Sequence, residues 1–197
     1  MPSRTCDANP LLNTLREHTR DGHKALEARL PFFAPSFDTA AYRRLLEAYY
    51  GFHAPLQEQL HDYQGPERSK IPTLRRDLQA LGLTQTDVEA LPICQALPVI
   101  DGPPAALGVM YVLEGSTLGG QVLKRAMAER LGLDAENGCA FLDVYGPLTG
   151  SHWRSFLERL AHASVFPADQ AVTVKAAVDT FRLFERWLAH CDVLLAR

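Results

Sequence analysis

The spacing of apolar residues predicts helices along most of the chain. Apolar side chains recur every three or four residues over long segments, and no segment shows the alternating pattern of a strand. Pro31 and Pro35 are expected to stop the first helix, and Asp38 and Thr39 to open the second, which Pro55 is expected to kink. The predicted helices are 10–30, one opening at 38–39, 73–81, 86–91, one from 104 or 105 to 131, 151–163 and 167–195.

The segments between these helices are expected to be loops, at 98–104 and in the glycine-rich stretch 134–150. The 197 residues suit one domain of ordinary size, and 47% of them are hydrophobic, which is enough for a sizeable core. We therefore predict a single all-α domain over 1–197, with 1–9 as a flexible tail.

Composition and charge exclude several classes of function. The net charge of −3 offers no general attraction to nucleic acid or to anionic membranes. No apolar run approaches the roughly 20 residues that a membrane span needs, and the first ten residues lack the apolar stretch of a signal peptide. The cysteines are scattered, which argues against a zinc site or disulfide framework and favours the cytoplasm: Cys6, Cys94, Cys139 and Cys191.

The first predicted helix places a histidine at the edge of its apolar face. His23 lies four residues after Thr19 and four before Glu27, so the carboxylate can accept a hydrogen bond from one ring nitrogen while the other holds a metal. Arg16 lies two turns earlier on the same side, where it could pair with a carboxylate of a ligand. A simpler interpretation, a core-edge histidine with a surface salt bridge, stays open.

The long predicted helix carries Gly115, Gly119 and Gly120 in its apolar interior. Glycine inside a helix costs up to about 1 kcal/mol relative to alanine, so three of them require a compensating role. Gly115 and Gly119 share a face and leave bare backbone against which a flat ligand can lie. Close packing of two helices through small residues is the alternative.

These two segments together resemble the haem oxygenases. The stretch Thr19-Arg-Asp-Gly-His23-Lys-Ala-Leu-Glu27 is similar to the family's proximal helix, and Gly115-Ser-Thr-Leu-Gly119-Gly120-Gln-Val-Leu-Lys124 is similar to its distal helix. The short chain and the Glu114-Gly-Ser-Thr-Leu-Gly stretch look like the bacterial enzymes encoded beside bacteriophytochromes. The resemblance implies a multi-helical fold that holds haem between the first helix and a kinked, glycine-rich distal helix.

The resemblance also implies a role for each matching residue. It makes Nε2 of His23 the iron ligand and Glu27 its partner, with Thr19 alongside in the proximal pattern. It places the three glycines over the distal face of haem. Arg16 and, more weakly, Arg154 would pair with the propionates, His53 would stand where relatives often carry a distal tyrosine, and Phe181 would lie near the haem edge.

One position departs from the pattern of the mammalian members. Ser116 stands where they have a catalytic aspartate, so that His53, Ser116 or backbone carbonyls would have to order distal water. The implied reaction opens haem, which is both cofactor and substrate, to biliverdin, CO and Fe(II) with O2. Its electrons would come from an external ferredoxin or flavin reductase, since no nucleotide-binding fingerprint is present, and a bacteriophytochrome could accept the biliverdin.

Two other classes of function stay open. A haem-binding carrier or sensor would use His23 without turning haem over. A thiaminase-type hydrolase or a di-iron oxidase would need a cysteine nucleophile with partners or a second carboxylate–histidine motif, and only Glu58-x-x-His61 is present.

Overall fold

The computed structural model describes residues 9–163 and 166–196, and these residues form α-helices and no β-strand. The all-α prediction is therefore confirmed, while residues 1–8 of the expected tail lie outside the described part. The helices are α1 (Pro10–Glu27), α2 (Thr39–Gln59), α3 (Ile71–Ala80), α4 (Gln85–Glu89), α5 (Pro103–Leu131), α6 (Thr149–Ala163) and α7 (Pro167–His190). Short 3₁₀ turns lie at Pro31–Phe33, Pro66–Arg68, Phe141–Asp143 and Gly146–Leu148.

Local chemistry sets both ends of α1. The side-chain oxygen of Asn9 accepts a hydrogen bond from the backbone N–H of Leu11 at 3.0 Å, and Pro10 occupies the first helical position. The helix ends at Glu27, before the predicted end at residue 30. Leu30 is extended, with φ −68° and ψ 130°, because the ring of Pro31 disfavours helical backbone in the residue before it.

The last helix also ends earlier than the predicted residue 195. It ends at His190, and Asp192 adopts a left-handed backbone with φ 55°. The chain then turns back, so that the N–H of Leu195 donates to the carbonyl oxygen of Arg29 at 2.8 Å. The prediction was wrong because Val193 and Leu194 pack on the core from a non-helical segment, and their apolar character alone does not reveal this.

Helix α2 runs through the middle of the core. Asp38 caps it by accepting a hydrogen bond from the N–H of Ala41 at 2.8 Å, as its position before the helix predicts. The helix continues past Pro55 to Gln59 without a break. Side chains on several of its faces are buried, among them Tyr42 and Phe52, because other elements pack around it.

Helices α5 and α7 approach each other closely at Gly108. A Cβ atom at Gly108 would lie 2.1 Å from the carbonyl oxygen of Thr173, so only glycine allows this approach. Small residues therefore do pack helices together here, as one interpretation of the glycine-bearing helix proposed. The glycine of α5 that packs against α7, however, is Gly108.

Helix α1 packs against α7, and α7 packs against α5. This arrangement leaves a space between α1 and the middle of α5, next to α2 and the turn at Phe141–Asp143. None of the helices in the described ranges has the length and apolar character needed to cross a bilayer.

Candidate functional site

A cavity of about 610 Å³ lies between α1 and α5. This volume is in the range of small-molecule and cofactor sites. Ten of the eleven residues predicted for a site line it, contributed by four helices: Arg16, Thr19, His23 and Glu27 from α1, His53 from α2, Gly115, Ser116, Gly119 and Gly120 from α5, and Phe181 from α7. Residues far apart in sequence thus meet at one place.

His23 reaches the cavity from the wall that α1 forms. Its Nδ1 lies 3.3 Å from Oε2 of Glu27, and its side chain is 50% exposed. The ring of Phe181 contacts the imidazole edge-on, with 5.5 Å between the ring centroids. The contact with Glu27 thus involves Nδ1 and not Nε2.

Thr19 stabilises the helix behind this histidine. It is 5% exposed, and its hydroxyl donates to the carbonyl oxygen of Leu15 at 2.7 Å. The hydroxyl is therefore used within α1, and Thr19 contributes to the cavity as a small buried side chain.

The exposed rim of α1 is cationic. Arg16, Arg20 and Lys24 all line the cavity from this helix, although the sequence analysis singled out only Arg16. Arg154 does not line the cavity. Its Nε donates to the carbonyl oxygen of Gly150 at 3.3 Å, and its side chain is exposed on α6. The geometry thus provides a cationic rim for an anionic group, but it does not bring Arg154 to that rim.

The glycines of α5 differ in what surrounds them. A Cβ atom at Gly119 would meet nothing within 4 Å, and one at Gly115 would be 3.8 Å from the ring of Trp153. A Cβ atom at Gly120 would instead lie 2.4 Å from the carbonyl oxygen of Leu142. Gly119 and Gly115 therefore leave bare backbone at the cavity, whereas Gly120 also permits the close approach of the 141–143 turn.

Ser116 lies beside these glycines and lines the cavity. Its hydroxyl donates to the carbonyl oxygen of Leu113 at 2.9 Å. Ser116 therefore places a hydroxyl, and not a carboxylate, at this position of the α5 wall.

His53 is buried in the cavity wall among aromatic rings. It is 4% exposed, it contacts Tyr49 and Phe141, and its Nδ1 has no hydrogen-bond partner among the described residues. Burial and the nearby Lys70 charge lower the pKa of His53 to about 3. The imidazole is therefore neutral at physiological pH, with one polar atom left for a ligand or water.

A buried polar cluster lies next to the same wall and was not predicted. Glu114 is 2% exposed and accepts hydrogen bonds from Nζ of Lys70 at 2.8 Å, from the hydroxyl of Tyr145 at 2.8 Å and from Arg68 at 2.6 Å. Lys70 is 1% exposed and lines the cavity. A glutamate within the apolar stretch 107–123 was the sequence signal for this cluster, because a buried carboxylate requires partners.

The described residues give less support to the two other kinds of site, a di-iron site and a cysteine nucleophile. No group of three or more His, Cys, Asp or Glu side chains in the described ranges could hold a metal. His61 of the Glu58-x-x-His61 motif is exposed and lies 3.1 Å from Asp62. Burial raises the pKa of the Cys94, Cys139 and Cys191 thiols, which disfavours a thiolate nucleophile.

Comparison with known proteins identifies the family of this chain. The family model described as "Heme oxygenase" matches residues 9–190. A heme oxygenase of Xanthomonas campestris is 30% identical over 167 residues, which cover 77% of this chain and 91% of the relative.

Solved structures share the fold. A heme oxygenase from Leptospira interrogans superposes with a TM-score of 0.76 at 21% identity, over 92% of this chain and 100% of the other. The Synechocystis enzyme in complex with heme gives 0.72 at 18% identity over 92% of both chains. The NO- and CO-bound Neisseria meningitidis enzyme gives 0.72 at 23% identity, over 94% of this chain and 93% of the other. From the family match and the 30% identical relative, we conclude that the chain belongs to the heme oxygenase family.

Proposed function

We propose that this protein binds haem between α1 and α5, with His23 as the iron ligand, and opens it to biliverdin, CO and Fe(II) using O2 and external electrons. The observation that carries the proposal is the position of the His23 ring in the wall of a cavity of about 610 Å³, across which α5 presents the bare backbone of Gly115 and Gly119. A flat ligand held by one histidine fits such a space.

The other residues of the cavity also fit haem. Apolar side chains such as Phe52, Leu123 and Phe184 form much of the wall and suit the porphyrin. The cationic rim of Arg16, Arg20 and Lys24 suits the propionates. The free Nδ1 of His53 supplies a polar atom deep in the cavity.

In this proposal haem supplies the iron at which O2 is activated, and it is also the molecule that is oxidised. His23 binds the iron through a neutral imidazole, and Glu27 fixes the orientation of the ring and raises the basicity of Nε2. Gly115 and Gly119 keep side chains away from the distal face. Neutral His53 holds a water molecule there, in place of the carboxylate that Ser116 does not provide.

The further details of the proposal rest on the resemblance to bacterial relatives. A ferredoxin or flavin reductase would supply the electrons, and a bacteriophytochrome would accept the biliverdin. The cytoplasm is the proposed location, consistent with the unpaired thiols of Cys94, Cys139 and Cys191.

A haem carrier or sensor is the second candidate, because Ser116 leaves the distal wall without an acidic side chain. One experiment separates the two functions. Haem is added to the purified protein, the absorption spectrum is recorded, and ascorbate or a ferredoxin reductase system is supplied in air. We expect a histidine-type Soret band that decays into biliverdin absorbance. A Soret band that persists would favour the carrier, and the absence of a Soret band would overturn both haem functions.

A further inference from the structure

The buried cluster beside the cavity contains more positive than negative charge. Arg68 and Lys70 both pair with Glu114, at 2.6 and 2.8 Å. Two cations against one carboxylate leave one uncompensated positive charge. Glu67 lies 3.8 Å from Arg68, but its side chain is 59% exposed, so solvent screens it.

The contacts of Lys70 fit an ammonium group. Its Nζ donates to Glu114 at 2.8 Å, to the hydroxyl oxygen of Tyr145 at 3.1 Å and to the carbonyl oxygen of Arg68 at 3.4 Å. An ammonium group has three hydrogens for these three acceptors, whereas a neutral amine has two. Burial lowers the pKa of Lys70 below its ordinary value, and the charge and hydrogen bond of Glu114 offset part of this decrease.

These bonds also decide how Lys70 can act. All three of its N–H groups are used within the protein, so it does not donate directly to a ligand. Lys70 nevertheless lines the cavity at 1% exposure, and in a buried wall of low dielectric the field of a charge extends further than it does in water. His53 lies in the same wall, and after burial the nearby Lys70 charge is the second cause that lowers the pKa of His53.

We propose that the cluster of Lys70, Glu114, Arg68 and Tyr145 provides a fixed positive potential that stabilises a small anionic ligand on the iron of bound haem, with Lys70 as a positioning residue that acts through this potential. The inference rests on the proposed function and deepens it.

The test uses ferric haem bound to the full chain and two measurements that do not depend on turnover. The first is the midpoint pH of the acid–alkaline transition in the absorption spectrum, since the alkaline form carries one more negative charge. The second is the affinity for azide. In Lys70→Met we expect the midpoint to rise by about one pH unit and the azide affinity to fall by about tenfold.

A second variant makes the test independent of simple damage to the fold. Glu114→Gln removes the negative charge of the cluster, so we expect its midpoint to fall and its azide affinity to rise. In the double variant Lys70→Met/Glu114→Gln both values should return toward those of the unmodified protein, because the net charge is restored. A purely structural role for the cluster would shift both single variants in the same direction and would overturn the proposal.

Lys124→Met is the matched control. Lys124 is a partly buried lysine ion-paired with Asp143, but it does not line the cavity, so its removal should leave both measurements unchanged. A Soret band with equal midpoints in Lys70→Met and the unmodified protein would overturn this inference and leave the proposed function standing. Loss of the Soret band in the unmodified protein would overturn both.

Discussion

Nδ1 of His23 lies 3.3 Å from Oε2 of Glu27, one turn further along α1. The two residues are four apart in sequence, so the helix itself brings them together. A carboxylate in contact with one imidazole nitrogen favours the tautomer that leaves the other nitrogen unprotonated and able to bind iron. In the proposed function, this pair would present Nε2 of His23 as the ligand atom before haem binds.

The first prediction concerns the ligand. His23→Ala removes the only α1 imidazole that lines the described cavity, so we expect the histidine-type Soret band to disappear when ferric haem is added. The measurement is an absorption spectrum of the haem-loaded protein. His18→Ala is the matched control, because His18 lies on the same helix, is exposed and does not line the cavity. An unchanged spectrum in His23→Ala would exclude His23 as the ligand.

The second prediction concerns the partner of the ligand. Glu27→Gln keeps the shape of the side chain but removes its charge, and it should weaken haem binding by about tenfold, as the loss of such partners does at metal sites. Titration of haem into the protein measures this. The matched control is Glu17→Gln, an exposed residue of the same helix that does not line the cavity. Equal affinities for Glu27→Gln and the control would contradict the role of Glu27.

The third prediction separates two glycines of α5. Gly119→Ala should raise the free energy of unfolding of the haem-free protein by up to about 1 kcal/mol, because alanine favours helix and the new Cβ meets open space. Gly120→Ala should instead lower it by about 1–3 kcal/mol, because the Cβ would collide with the backbone at Leu142. Urea unfolding measures both.

The haem affinity of Gly119→Ala should not follow its free energy of unfolding. The Cβ of Gly119→Ala projects into the cavity, so this more stable variant should bind haem more weakly than the unmodified protein. Stabilisation with unchanged haem affinity would mean that haem does not lie against Gly119.

These glycines illustrate what the sequence could and could not predict. The helices followed from apolar spacing, capping residues and prolines, because these act over a few residues. The pairing of His23 with Glu27 followed from helix geometry for the same reason. The sequence left open whether the bare face at Gly115 and Gly119 meets a ligand or another helix, and it did not single out Gly108, because both depend on which helix lies against each face.

The missed residues of the cavity have the same explanation. Lys70 comes from the segment between α2 and α3, where no local pattern marks a binding residue. Its importance depends on its contact with Glu114, which is distant in sequence. Arg154 shows the converse, because the resemblance made it a weaker candidate for the propionates while its side chain lies outside the cavity wall.

The fourth prediction follows from that contrast. Arg16→Gln should lower haem affinity several-fold and alter the proportions of the biliverdin isomers, because Arg16 lines the rim where propionates would lie and so orients the ring. Arg154→Gln serves as the matched control and should change neither. Haem titration and chromatography of the product measure the two effects. A larger loss in Arg154→Gln than in Arg16→Gln would show that the propionates lie elsewhere.

The fifth prediction uses the buried imidazole of His53. Its pKa is about 3 in the folded protein, against 6.5 for an ordinary histidine. Below pH 6.5 the imidazole of His53 is protonated in the unfolded chain but not in the folded protein. His53 therefore makes the free energy of unfolding fall as the pH decreases from 6.5 toward 3, and it has no such effect above pH 6.5. A decrease from about pH 7.5 to about pH 5 should therefore lower the free energy of unfolding by roughly 2 kcal/mol.

The variant His53→Leu should therefore lose about 2 kcal/mol less than the unmodified protein when urea unfolding is compared at those two pH values. Comparing only this pH-dependent difference removes the effect of the new side chain on packing. It also removes the contribution of Asp77, whose burial raises its pKa and acts in the opposite direction in both proteins. The control is His61→Leu, whose side chain is 82% exposed and should retain the full pH dependence. If His53→Leu also retained it, His53 would have to be protonated within the fold, and it could not serve as the neutral distal group that holds water over haem.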